Sequence, residues 1–146
     1  MILADATIEI AARRDAVFDL FTTKRGLEQW MAREAWVDLR PGGAWRWTHD
    51  NAATSSGEYL EIEPPDRLAF TYGWESGEFA DIGPGTTTVE VTFEEIDAGT
   101  RVTVTHSGLP PANVARHAAG WTHFLHVLSD VCAGTAAPAV NLPEPT

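Results

Sequence analysis

Towards the C-terminal end of the chain, the run from Pro111 to Ala133 repeats its apolar residues at Val114, Ala118, Trp121, Leu125, Leu128 and Cys132. Steps of three and four place these residues on one stripe of an α-helix, which Phe124 and Val131 widen. Pro110 and Pro111 stand at its start, where a missing N–H costs nothing, and Gly134 stands where a helix-ending residue often takes positive φ. Such a helix is roughly 35 Å long at 1.5 Å per residue, enough to cross a small domain. It needs an apolar partner surface of comparable length. Most of the chain before it reads as strands, so the expected partner is a sheet, and the space between sheet and helix is where function is sought.

The strands follow from alternation. Ala4, Ala6, Ile8 and Ile10 alternate with Asp5, Thr7 and Glu9 in a first strand over residues 2–10. Val17, Leu20 and Phe21 then share a helical face, and Leu27, Trp30 and Met31 continue it after a bend at Lys24–Gly26, giving two short helices. Six further strands are predicted at 36–39, 44–49, 57–63, 67–74, 86–95 and 100–107, separated by turn residues such as Arg40–Gly43, Pro64–Asp66 and Asp97–Gly99. The Gly- and acid-rich segment 75–85 is read as a mobile loop, and 134–146, with three prolines, as a flexible tail beyond a single domain of residues 1–133. This order predicts an α+β domain: helices on one face of a curved antiparallel sheet.

Charge narrows the function. Acids outnumber bases 21 to 10 for a net charge of -11, which argues against nucleic acid or an anionic membrane as partner. The single cysteine, Cys132, permits no intramolecular disulfide. Met1–Thr7 lacks a basic leader, and no stretch approaches the ~20 apolar residues that span a bilayer, so the expected compartment is the cytoplasm. A homodimer is left open by the residues.

The segments Asp15–Thr22 with Leu27–Trp30, Arg40–Gly43 leading into an aromatic strand, Gly57–Thr71, Thr88–Phe93 and Gly120–Trp121 occur in an order that resembles the SRPBCC superfamily, the START-like or Bet v 1-like helix-grip folds. Within it the chain is similar to the group of activators of heat-shock protein 90 ATPase, over residues 4 to 133. The resemblance implies a curved antiparallel sheet wrapped around the long C-terminal helix, with a cavity between them. It also implies a range of roles, from apolar-ligand carriers and polyketide cyclases to chaperone activators. It brings no fixed catalytic signature.

Candidate site residues come from side-chain parity. In 57–63, placing Leu60 and Ile62 inward carries Glu58 inward too, where a carboxylate must pair, bind a cation or stay protonated. His49 and His106 end strands on the inner face, and His117 lies on the helix one turn before Trp121, whereas His123 and His126 face solvent. Trp30, Trp45, Trp47, Tyr72, Trp74 and Trp121 supply aromatic walls, with Trp74 at the entrance beside the loop. The histidines lack the close spacing of metal ligands, so no metal or other cofactor is expected. Gly120 costs about 1 kcal/mol relative to alanine in a helix interior, so a close contact or open pocket volume should compensate. The expected function is binding of a small apolar or aromatic molecule by Trp30, Trp47, Glu58, Tyr72, Trp74, His106, His117 and Trp121. The alternatives are a cyclase- or hydrolase-like enzyme using Glu58 or an inward histidine as acid/base, and a protein-interaction module that engages a chaperone.

Overall fold

A computed structural model describes residues 3–134, and apart from Gly134 the expected tail lies outside the described residues. The chain runs β1 (Ala4–Ile10), α1 (Arg14–Thr22), α2 (Lys24–Leu27), β2 (Glu34–Val37), β3 (Ala44–Thr48), β4 (Thr54–Glu63), β5 (Arg67–Trp74), β6 (Thr87–Ile96), β7 (Gly99–Ser107) and α3 (Val114–Ala133). A single 3-10 turn, Pro111–Asn113, leads into α3. Gly134 caps it in the left-handed region at φ 72°, returning its N–H to the last turn.

All seven strands pair antiparallel in the order β1-β7-β6-β5-β4-β3-β2. They form the curved sheet of a helix-grip α+β fold, with α3 lying against it. Alternation does what the sequence predicts in β6 and β7, where Val89, Val91, Phe93, Val102 and Val104 are buried and their neighbours face out. The helix backbone comes nearest the sheet along β1, where Ala4 and Ala6 are small. Larger residues fill the interior on the other half of the sheet: Trp45 and Trp47 on β3, Tyr59 on β4, and Phe70 and Tyr72 on β5 are all buried.

Three expectations shift. The second short helix occupies Lys24–Leu27 instead of the stretch after Gly26, because the Thr23 hydroxyl accepts the Gly26 N–H and starts a helix there. Leu27, Trp30 and Met31 are buried all the same. The strand expected at 36–39 lies at Glu34–Val37, with Ala35 inward and Trp36 56% exposed.

The third shift concerns Glu58. The β4–β5 register slips between Tyr59 and Glu61, so β4 carries a bulge. The extra residue breaks the parity of the strand. Ser55 and Tyr59 face inward before the bulge and Ile62 packs on the core after it, while Glu58 is exposed and Leu60 is 44% exposed. The inward placement of Glu58 is therefore incorrect: an unbroken alternation does not hold across a bulge, and a slip of one residue moves every preceding side chain to the opposite face.

Candidate functional site

The far end of β5 and the middle of α3 face each other across the stand-off between helix and sheet. Tyr72 is buried near the end of β5, and Trp74, its last residue, is half-buried. The chain then folds back: the Trp74 N–H donates to the Ile82 carbonyl at 2.7 Å, and the Glu75 N–H to the Thr54 carbonyl at 2.7 Å. A Cβ on Gly73 would sit 1.9 Å from the Gly83 carbonyl oxygen, so only glycine permits this return. The loop expected to be mobile thus packs inward through Ile82 and Phe79, the Phe79 ring lying 5.6 Å from Trp74 and 4.6 Å from His117.

From α3, His117, Gly120, Trp121 and Phe124 project along one face at helical spacing and close a cavity of about 160 Å³ against Tyr72, Trp74 and Phe79. His49, just beyond β3, and Met31 complete the wall, and Arg116 stands at its edge. Two larger depressions, of about 580 and 480 Å³, are open surface grooves, one at the β1–α1 junction and one on the outer face of the sheet. The smaller space is the one walled by rings.

Two tryptophan–histidine pairs brace the cavity. The Trp74 indole N–H donates to His117 Nε2 at 3.2 Å, and His117 Nδ1 donates to the Asn113 carbonyl one turn back at 2.9 Å. The Trp121 indole N–H donates to His106 Nδ1 at 3.2 Å, so His106 Nε2 carries the proton and donates to the Thr87 hydroxyl at 2.8 Å. That hydroxyl in turn donates to the Tyr72 carbonyl at 2.6 Å. A third imidazole, His49, donates from Nδ1 to the Met31 carbonyl at 3.2 Å and accepts the Ser55 hydroxyl on Nε2 at 3.0 Å.

Each ring is neutral by this arrangement, and burial acts in the same direction. Desolvation, reinforced by the neighbouring His117, holds His106 down to about 3. Burial lowers His117, with Arg116 adding to the effect and the Asn113 carbonyl opposing it, and burial lowers His49 against the Met31 carbonyl. The Tyr72 phenol is pushed up by burial, with Ser55 offsetting part of the shift.

Of the residues expected from the sequence, Tyr72, Trp74, His117 and Trp121 meet at the cavity, and His106 lies directly behind it, holding Trp121. The other three lie elsewhere. Trp30 packs on Phe21 and donates to the Leu20 carbonyl, and does not line the wall. Trp47 belongs to the aromatic slab behind it, 4.1 Å from Trp45, with its indole N–H buried and unpartnered among the described residues. Glu58 faces outward. The wall also contains residues that no periodicity marked as lining it: Met31, Phe79 and Arg116. Phe79 lies in a segment without alternation, and Arg116 sits on the flank of the helical stripe beside His117. Gly120 fulfils its expectation, since a Cβ there would meet nothing within 4 Å. Among the described residues no group of three or more His, Cys, Asp or Glu is placed to hold a metal ion, and no helix is long and apolar enough to cross a membrane.

The family model described as Activator of Hsp90 ATPase homolog 1-like protein matches residues 11–133. The chain belongs to this family. Among solved structures, the AHSA1-like protein of Rhizobium etli is 34% identical, with 98% of this chain and 89% of that chain covered and a TM-score of 0.73. The Aha1 dimer of Colwellia psychrerythraea has the same fold at 19% identity, covering 92% of this chain and 98% of its own, with a TM-score of 0.77. DynU16, a protein of the dynemicin biosynthetic locus, also shares the fold at 24% identity and a TM-score of 0.77; 90% of this chain is covered, and it spans about half, 48%, of that one. No curated protein matches.

Proposed function

We propose that this chain binds a small apolar or aromatic molecule in the cavity between α3 and the β3–β5 half of the sheet. The observation that carries this reading is the open space beside Gly120, walled by Tyr72, Trp74, Phe79, Trp121 and Phe124. An apolar cavity of roughly 150 Å³ takes a guest the size of one benzene ring. The walls here enclose about 160 Å³. Their nitrogens are already bonded to one another, so the rings are held in place before a guest arrives, which reduces the ordering cost of binding.

Titration with benzyl alcohol tests the reading, followed by the emission of Trp74 and Trp121 and by the melting temperature. A ligand at 100 times its Kd adds about 2.7 kcal/mol to stability. Gly120→Leu places a side chain in the space and is expected to abolish both responses. If the Leu variant binds as tightly as the parent, the cavity is not the binding site.

A catalytic reading has one supporting observation, the bond from the Ser55 hydroxyl to His49 Nε2 with Nδ1 fixed on the Met31 carbonyl. It leaves His49, a cavity residue, as the acid/base group in place of the outward Glu58. Any turnover found with a cavity ligand should then disappear in His49→Gln with binding retained. Retained turnover in that variant eliminates the reading.

A further inference from the structure

The cavity has almost no free hydrogen-bonding capacity. Both nitrogens of His49 are engaged, by the Met31 carbonyl and the Ser55 hydroxyl, and both of His117, by the Asn113 carbonyl and the Trp74 indole. The Trp121 indole N–H is committed to His106. Met31, Gly120, Phe79 and Phe124 bring no hydrogen-bonding side chain. A guest carrying an amine or other donor finds no unengaged imidazole nitrogen among these walls.

Arg116 is the exception. It is the one charged residue lining the cavity. Its guanidinium lies over the Phe79 ring, 4.8 Å from the centroid, so its plane is directed by the same loop that closes the pocket. Among the described residues its guanidinium makes a single hydrogen bond, from Nη2 to Glu78 Oε1 at 2.8 Å, which leaves the rest of the fork for another acceptor. Side chains of Arg116 and Glu78 are 59% and 60% exposed. An exposed pair of this kind is weak and exchanges readily for a better-placed carboxylate.

We infer that the preferred guest is an aromatic acid, a ring-sized body with one carboxylate or comparable oxyanion, whose charged end replaces Glu78 on Arg116 at the mouth of the cavity. This rests on the binding reading above and adds to it the sign of the ligand's charge. Glu78 in this arrangement is a stand-in for the guest: it neutralises the guanidinium when the site is empty and competes with the ligand for it.

Three ring-matched probes separate the possibilities: benzoate, benzyl alcohol and benzylamine, titrated at low and high salt against the full chain and its Arg116→Gln and Glu78→Gln variants. Both positions are surface-exposed, so the variants should melt close to the parent. At low salt benzoate should bind about fivefold tighter than benzyl alcohol, the net of one charge-assisted contact over a lost surface pair. Added salt should shrink that advantage, Arg116→Gln should remove it, and Glu78→Gln should enlarge it. Benzylamine binding tightest, or a benzoate advantage that survives Arg116→Gln, overturns the inference. Equal affinities for all three probes overturn it too, while leaving the cavity as a binding site. If none of the three alters tryptophan emission or melting temperature, the binding reading fails along with it.

Discussion

Replacing Gly120 by alanine sets stability against binding at a single atom. Glycine in a helix interior costs about 1 kcal/mol relative to alanine, because its backbone loses more freedom on folding. That gain would be cancelled if the new methyl met a neighbour, but a Cβ at Gly120 has no heavy atom within 4 Å. The alanine variant should therefore be more stable by about 1 kcal/mol, a rise in melting temperature of about 3 °C for a chain of this size. Denaturant unfolding gives the free energy, with an unchanged m value showing that neither end state has altered in compactness. Because Gly120 lines the cavity, the same methyl occupies the space proposed for the guest, and benzyl alcohol should bind more weakly. Stability and affinity move in opposite directions, the pattern of a residue retained for its site at the expense of the fold. A Gly120→Ala protein that is less stable than the parent, or that binds more tightly, refutes the reasoning.

Other outcomes follow from the bonded rings. Trp74→Phe keeps an aromatic side chain but shrinks it and removes the donor to His117 Nε2, and should cost at least about 1 kcal/mol in chemical denaturation. His106→Leu leaves the buried Trp121 N–H without an acceptor and should cost about 2–3 kcal/mol by the same assay, whereas Glu58→Gln on the outer face should stay within about 0.5 kcal/mol. With His106 held down to about 3 in the fold and near 6.5 when unfolded, the unfolded chain binds more protons between those values. Stability is then full above about pH 6.5 and falls as the pH drops towards 3, with His49 and His117 lowered in the same sense. Asp15 and Glu75, held low by Arg13 and Arg46, join only below about pH 4. Urea midpoints that stay flat from pH 7 to 4, or that fall as steeply in His106→Leu, contradict this origin.

Legibility in the sequence tracked how local each signal was. The stripe Trp121, Leu125, Leu128 predicts α3, and the alternation of Val89, Val91 and Phe93 predicts β6, because a helix or strand with one buried face records it residue by residue. The inward positions of Tyr72, Trp74, His117 and Trp121 at the cavity are legible for the same reason. Glu58 was misplaced because the bulge between Tyr59 and Glu61 is a property of two strands together and leaves no mark in β4 alone. Phe79 and Arg116 were missed because their roles depend on a loop that returns across Gly73 to the helix. Trp30 and Trp47 have the same chemistry as Trp74, and only tertiary packing, of Trp30 on Phe21 and of Trp47 on Trp45, keeps them out of the cavity wall.

The uneven stand-off of α3 divides labour within the molecule. Along β1 the helix is seated on small side chains, and that seam fixes where it lies. Opposite β3–β5 it hangs over a layer of large rings. Remodelling that layer would resize the chamber without unseating the rod, so the volume of the space and the seat of the helix can vary independently.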